Sequence, residues 1–320
     1  MTQVTDLITG MSLPVIAAPM FTVSNPEMAL ATCAQGLMGT FPAHTTRSAE
    51  MLEDWLVTMS KGVARLSTEG VETVGPYGVN LVVAAGNQRL DQDLALCIKH
   101  KVPVILTSKG APGEVFEAVH AYGGLVFHDI GAARHAEIAL AAGADGLIAV
   151  CGGAGGHCGT LNPFALVNEV RQMTDKAIIL AGAITTGRDV LAAQVMGADL
   201  VYMGTRFINT EESGAVDGYR QMIIEATATD IFFGTIADAP SNLLTPSLLR
   251  AGVKLDDLRR QDPDAIIAVQ ERKKRWKDVW SAGHGVGSIH DVLSVRDLCD
   301  RLKSEYAAAR DDLRRFNAAE

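Results

Sequence analysis

One stretch of the chain reads Leu147-Ile-Ala-Val-Cys-Gly-Gly-Ala-Gly-Gly-His157-Cys-Gly159. It begins as a short apolar run, typical of a buried strand, and continues into a loop of four glycines that carries one histidine. Glycine lets the backbone approach a ligand closely and adopt angles that other residues avoid. The stretch is not a dinucleotide-binding fingerprint, because Cys158 stands where the third glycine of G-x-G-x-x-G would be required. It predicts a strand that opens into a cofactor and substrate site.

Seven further apolar runs of similar length occur along the chain, with Ala-rich helical patterns between them. Continuous apolar runs are typical of parallel strands buried on both faces, and alternating strands and helices form βαβ units. Eight such strands favour an α/β fold of the TIM (β/α)8 barrel type over an open doubly wound sheet. The predicted strands are Leu13–Ala18, Leu37–Phe41, Tyr77–Val82, Val102–Thr107, Gly124–His128, Gly146–Cys151, Ala177–Leu180 and Leu200–Met203.

The pattern changes after the eighth predicted strand. Residues 209–274 mix helical stretches with proline-containing breaks, which predicts a mainly helical insertion covering the barrel mouth. The barrel itself would comprise residues 1–208 and 275–320. In barrels of this type the loops that follow the strands carry the active site.

Charge and composition narrow the range of partners. The chain of 320 residues has a net charge of −9, which argues against nucleic acid or an anionic membrane as its main partner. Its one basic cluster, Glu271–Lys277, is interpreted as a solvated helix face. Five cysteines, without a C-x-x-C pair or a signal peptide, predict free thiols in a reducing cytoplasm. No apolar stretch is long enough for a membrane helix, and an exposed barrel flank is compatible with a homodimer.

Two glycine loops predict a phosphate site. Ala181-Gly-Ala-Ile-Thr-Thr-Gly187 follows the seventh predicted strand, and Met203-Gly-Thr-Arg206 follows the eighth. Barrels often bind phosphate at these two places through backbone N–H groups. The alternative is that the glycines only make tight turns, but two such loops in adjacent positions favour phosphate.

Three side chains at other strand ends are candidates for contact with a flat heterocycle. Asn80 lies near the end of the third predicted strand; its amide either meets a ring edge or belongs to a turn. Met20 ends the first strand, and its sulfur either lies against a ring or fills the core. Asp129 ends the fifth strand and either orients a ligand or caps the next helix.

His157 is the strongest catalytic candidate. Histidine titrates near neutral pH, which suits a general base or a cationic hydrogen-bond donor, and this one lies in a glycine loop rather than in the core. No second or third ligand stands at a metal-binding spacing, so no metal site is predicted. The chain lacks a G-x-S-x-G elbow, and Cys158 has no evident partner base.

Together these motifs resemble the nitronate monooxygenase family, once called 2-nitropropane dioxygenases. The resemblance extends from about Leu13 to Leu302 and depends on the order and spacing of five segments. These are Gly78–Leu81, Ala154–Pro163, Gly182–Asp189, Met203–Glu212 and Trp280–Gly283. The chain departs from many relatives in two places, with Gly-Ala instead of Gly-Gly at residues 182–183 and His284 instead of glutamine.

The resemblance implies FMN at the C-terminal mouth of the barrel, with the last four of the following residues at its phosphate. The implied cofactor contacts are Met20, Asn80, Asp129, Gly155, Gly156, Gly182, Ala183, Gly204 and Thr205. His157 would stand over the flavin ring beside the substrate. The reaction implied is oxidation of an alkyl nitronate by O2 to a carbonyl compound and nitrite, without NAD(P)H.

Three alternatives remain open on the sequence. A flavin-dependent enoyl-acyl-carrier-protein reductase and an NADH:quinone reductase have the same barrel and the same glycine–histidine loop, so His157 does not discriminate among them. The third is a non-catalytic flavin- or phosphosugar-binding barrel, because the sequence shows one clear catalytic candidate and no acid–base pair.

Overall fold

The computed structural model describes residues 3–110, 113–236, 239–260 and 279–317. Eight parallel strands form its centre and hydrogen-bond in the order β1-β9-β8-β6-β5-β4-β3-β2. A bridge between Ile16 and Met38 joins β1 to β2 and closes the ring. The predicted TIM barrel is confirmed. Its strands are β1 Val15–Ala17, β2 Gly39–Pro42, β3 Tyr77–Val82, β4 Val104–Ser108, β5 Leu125–Ile130, β6 Gly146–Val150, β8 Ala177–Ala181 and β9 Leu200–Met203.

Six of the barrel strands (β1, β4, β5, β6, β8 and β9) contribute to two apolar layers, because successive side chains point to opposite faces. Leu106, Phe127 and Ile179 are fully buried in the barrel interior, whereas Ile105 and Val126 are fully buried against the surrounding helices. Burial of a side chain of this size contributes about 1.5–3 kcal/mol relative to an exposed position. This two-sided burial explains why the strands read as continuous apolar runs.

Helices flank the barrel and close its lower end. The first helix packs Leu7 and Ile8 against the interior cluster, an element that the sequence pattern did not predict. Two helices begin at side-chain caps: Asn162 accepts from the backbone N–H of Phe164, and Thr186 forms a capping box with Asp189. The helices outside the insertion are α1 Gln3–Thr9, α2 Pro26–Ala34, α3 Ala49–Thr68, α4 Leu90–Lys99, α5 Gly113–His120, α6 Ala133–Ala141, α7 Pro163–Arg171, α8 Gly187–Met196 and α13 Val295–Asn317.

The insertion after β9 contains both helices and a β-hairpin. Helix α9 Thr205–Ile208 directly follows β9 and precedes the insertion. The insertion's helices are α10 Asp217–Glu225, α11 Thr245–Arg250 and α12 Leu255–Arg259, and its strands are β10 Ile231–Ile236 and β11 Ala239–Leu244. The sequence pattern does not predict the hairpin, because Pro240 is a residue that usually interrupts a strand. Residues 261–278, which include the whole of the basic cluster Glu271–Lys277, lie outside the described residues. The domain boundaries stay a prediction.

Candidate active site

The structure places His157 at the barrel mouth, within a strand rather than in a free loop. Gly156–His157 forms the short strand β7, which pairs antiparallel with Ser241 and Asn242 of β11. The N–H of Cys158 donates to the carbonyl of Pro240 at 3.0 Å. His157 itself is exposed. The insertion therefore reaches over the mouth and fixes the backbone of the residue predicted to be catalytic.

Asn242 holds the glycine loop from the hairpin side. It is fully buried, and its Nδ2 donates to the carbonyls of Gly152 and Ala154, both at 2.7 Å. These two acceptors set the orientation of the amide, because exchanging its nitrogen and oxygen would place oxygen against oxygen. Asn242 has no functional signal in the sequence, since an isolated Asn two residues after a proline is typical of a turn.

The glycine loop also packs tightly against the segment 280–285. A Cβ at Gly155 would come within 2.8 Å of the backbone of Ala282, and a Cβ at Gly283 would lie 2.5 Å from the carbonyl of Gly153. That same carbonyl accepts the N–H of His284 at 3.0 Å. Close packing of backbone on backbone thus requires Gly155, so its predicted contact with a cofactor stays a prediction, as does that of Gly156.

The loop after β8 adopts an unusual backbone conformation. Gly182 has φ +138° and Ala183 has φ +56°, and the second value costs a residue with a Cβ roughly 1–2 kcal/mol. The N–H of Ala183 donates to the carbonyl of Gly153 at 3.2 Å. This amide would have to give up that bond to bind a phosphate. This strained conformation directs the loop after β8 toward the glycine loop that follows β6.

The loop after β9 lies beside it, because β8 and β9 are neighbours in the barrel. The N–H of Gly283 donates to Thr205 Oγ1 at 2.9 Å, so the hydroxyl proton of Thr205 stays available for another acceptor. A Cβ on Gly204 would lie 3.7 Å from both Ala18 Cβ and Met20 Sδ, which is ordinary contact. The structure thus brings Gly204 and Thr205 together with Met20, as a shared ligand would require.

Asn80 lies inside the barrel near its mouth. Its Nδ2 donates to the carbonyl of Leu106 at 3.1 Å and lies 3.3 Å from Ser108 Oγ. The residue is 6% exposed and belongs to β3, so the alternative that it is a turn residue is wrong. Its position at the top of the interior is suited to a ring lying across the mouth.

Asp129 provides the clearest sign of a ligand. Helix α6 takes Ala132 as its N-cap, so the alternative that Asp129 caps this helix is wrong. Asp129 Oδ1 is buried and has no hydrogen-bond partner among the residues that the structure describes. Burial of Asp129 raises the pKa of its carboxyl to about 7. The nearby Tyr202 is buried as well, and its own burial, together with the charge of Asp129, holds the pKa of Tyr202 well above its usual range. Buried polar atoms in native proteins almost always have a partner, so this oxygen fits an N–H donor such as that of a flavin ring.

His128, the neighbour of Asp129, has a structural role instead. Its Nδ1 lies 2.8 Å from Thr107 Oγ1, and its ring meets Phe116 edge to face. Burial lowers the pKa of His128 to about 4, so the ring is neutral at pH 7. His128 is thus a core histidine with a hydrogen-bond partner, whereas Asp129 has a carboxyl oxygen without one among the described residues.

Two absences hold for the described parts of the chain. There, no three His, Cys, Asp or Glu side chains lie close enough to hold a metal ion. In the same parts, no helix combines the length and apolar character needed to cross a bilayer. The cytoplasmic location and the homodimer stay predictions.

A family model for nitronate monooxygenase matches residues 76–305, which is more than half of the chain. The chain belongs to the nitronate monooxygenase family. Members of this family are flavoenzymes, so the chain is an oxidoreductase whose mouth fits a flavin.

Three proteins are similar to this chain over most of its length. The (3aS,4S,5R,7aS)-5-hydroxy-7a-methyl-1-oxo-octahydro-1H-indene-4-carboxyl-CoA dehydrogenase of Rhodococcus jostii is 29% identical over 94% of this chain and 80% of its own length. A probable nitronate monooxygenase of Staphylococcus saprophyticus is 25% identical over 88% of this chain and 91% of its own. The structure of FabK from Thermotoga maritima superposes with a TM-score of 0.84 at 24% identity over 99% of both chains, which supports the fold.

Proposed function

We propose that this protein oxidises alkyl nitronates with O2 to a carbonyl compound and nitrite, with FMN as cofactor and without NAD(P)H. Membership of the nitronate monooxygenase family carries the proposal. The position of His157 supports it, because β7 holds this exposed histidine at the mouth where the glycine loops converge.

His157 would bind the substrate. A nitronate is an anion, and an imidazole N–H donated to its oxygen stabilises that charge. If the neutral nitroalkane is used, the same ring would remove the proton from the carbon next to the nitro group. The antiparallel pairing with Ser241 limits the freedom of the His157 backbone, which lowers the entropic cost of orienting the ring.

The cofactor would lie across the mouth between two groups of residues. Gly182, Gly204 and Thr205 would hold its phosphate, and Asn80 and Asp129 would meet its ring from below. When bound, the flavin supplies the electron acceptor that the side chains lack. The proposal is for FMN rather than FAD, as the family resemblance implies.

A second candidate is oxidation or reduction of a thioester, with a pyridine nucleotide in the case of reduction. It is favoured by the R. jostii dehydrogenase, named for a carboxyl-CoA substrate and matched over 94% of this chain. An NADH:quinone reductase, which acts on a quinone rather than a thioester, is the other reductase alternative.

The deciding experiment measures oxygen consumption by the flavin-bound protein with propyl-2-nitronate and no NADH or NADPH. Rapid uptake with nitrite release is expected. His157→Ala should abolish most of it. His120→Ala is the matched control. His120 is an exposed histidine at the end of α5, at the end of the barrel away from the mouth, where it pairs with Asp145 just before β6. No uptake by an FMN-replete sample would refute the proposal and favour the reductase alternatives.

A further inference from the structure

Two titratable side chains lie inside the barrel, at the level where its strands end at the mouth. Successive side chains of a strand point to opposite faces. Phe127 of β5 belongs to the apolar cluster inside the barrel, whereas Ile130 packs against the helices. Asp129, two residues after Phe127, therefore faces the interior. The same alternation on β9 places Tyr202, two residues after Leu200, inside the barrel, where it packs against the same cluster.

The carboxyl group of Asp129 lacks a partner in the described parts of the chain. There, neither of its oxygens forms a hydrogen bond or an ion pair, and Oδ1 is buried. On the adjacent strand β6 it pairs in register with Ile148, which offers no polar side-chain group. The residue as a whole is half-buried, so a ligand at the mouth can reach it. Because an ionised carboxyl without a partner is costly to bury, this position favours either an N–H donor or a proton.

The charges around Asp129 do not compensate it. Burial raises its pKa, and no cation of the described residues lowers it. Tyr202 stays neutral, because burial and the charge of Asp129 hold the pKa of the phenol well above its usual range. The carboxyl therefore titrates near neutral pH without a fixed counter-ion. The titratable side chains on the elements around it are His128 on the outer face of β5, His135 of α6, Tyr202 of β9, His157 of β7 and Lys109 after β4.

We infer that Asp129 couples reduction of the bound flavin to uptake of a proton, being ionised beneath the oxidised ring and protonated beneath the reduced one. A carboxylate accepts a hydrogen bond from an N–H of the neutral ring. After the ring has gained two electrons and one proton it keeps a negative charge, and two adjacent negative charges disfavour each other. A second proton, from solvent, then binds to the Asp129 carboxylate. Two electrons and two protons are taken up in all, and no bond within the protein breaks.

This role matters for a substrate that is itself an anion. An ionised Asp129 would oppose the transfer of electrons from a nitronate to the ring, whereas a protonated carboxyl donates a hydrogen bond to the charge that develops there. The sequence indicates one catalytic candidate, His157, and Asp129 adds a second group that holds a proton at the opposite side of the ring. The inference rests on the proposed function only in requiring a flavin at the mouth.

The first test is a redox titration of the flavin-bound protein with dithionite, at pH values above the pKa of about 7 that burial gives Asp129. With two protons taken up per two electrons, the equilibrium constant changes a hundredfold per pH unit, and the midpoint potential should fall by about 59 mV. Asp129→Asn keeps the shape of the side chain but takes up no proton, so the change is tenfold and the fall about 30 mV per pH unit. Asp175→Asn is the matched control, because Asp175 is exposed and precedes β8 at the end of the barrel away from the mouth. Its slope should equal that of the unmodified protein.

Infrared difference spectroscopy of the unmodified protein locates the second proton and depends on no variant. Reduction above the pKa of Asp129 should produce the carbonyl band of a protonated carboxyl group. Equal slopes in the unmodified protein and Asp129→Asn, or a slope of about 59 mV without that band, would overturn the inference. Oxygen consumption with nitronate is measured separately on the unmodified protein. Failure there removes the proposed substrate and leaves the proton coupling standing, whereas equal slopes with normal nitronate oxidation remove the coupling alone.

Discussion

Replacing Asn242 by Ala removes the contact that ties the hairpin to the glycine loop. The amide donates two hydrogen bonds of 2.7 Å, and each acceptor belongs to the loop that leads to His157. A neutral hydrogen bond contributes about 1 kcal/mol net, and an acceptor that stays partly buried without a donor costs about the same or more. The two carbonyls, of Gly152 and Ala154, are half-buried, so water can reach them in the variant.

One effect acts in the opposite direction. Asn242 Oδ1 is itself buried without a partner among the described residues, and Asn242→Ala removes that unsatisfied oxygen. The net expectation is a loss of about 2 kcal/mol in the free energy of unfolding. Because the lost bonds hold the His157 loop, kcat/KM for nitronate should also fall by about tenfold, which corresponds to about 1.4 kcal/mol in the transition state.

Urea unfolding followed by circular dichroism measures the first quantity, and oxygen consumption the second. Asn168→Ala is the matched control, since Asn168 is an exposed asparagine of α7. Stability within 0.5 kcal/mol of the unmodified protein, a margin usual for surface substitutions, would show that the hairpin does not hold the loop. A loss of stability with unchanged kcat/KM would refute the link to His157.

Three further predictions concern the mouth itself. His157→Ala should lower kcat/KM for nitronate by about 10²–10⁴ with FMN still bound, as steady-state oxygen uptake and the flavin spectrum will show; unchanged kinetics would remove its role. Burial raises the pKa of Asp129 to about 7 from 3.8, so folding takes up a proton there and stability falls as pH rises from about 4 to 7. Asp129→Asn should flatten that slope in flavin-free protein, measured as Tm against pH, and an unchanged slope would contradict the assignment. Thr205→Val removes the acceptor for the Gly283 N–H and a donor for phosphate, so the Kd for FMN, followed by fluorescence quenching, should rise by about tenfold; an unaltered Kd would place the phosphate elsewhere.

The sequence by itself determined the barrel and the end at which its site lies. Continuous apolar runs are a local property of strands buried on both faces, so each of the eight could be recognised without knowing its neighbours. Because parallel strands place all their C-terminal ends at one mouth, the loops carrying His157, Gly182 and Gly204 were bound to converge there. The caps at Asn162 and Thr186 were equally local, since each depends on residues within three positions.

Only the tertiary structure decided what surrounds those loops. The pairing of β11 with β7 joins residues more than eighty positions apart, and neither Pro240 nor Asn242 carries a local signal for it. Whether Asp129 caps a helix or is available to a ligand depends on the face of β5 that it occupies and on the side chains across the barrel. Its neighbours in sequence do not decide this. The same holds for Phe21 and His44, whose rings stack only because β1 and β2 become neighbours when the barrel closes. Secondary structure depends mainly on residues close in sequence, whereas contacts between side chains on different strands form only when the barrel has closed.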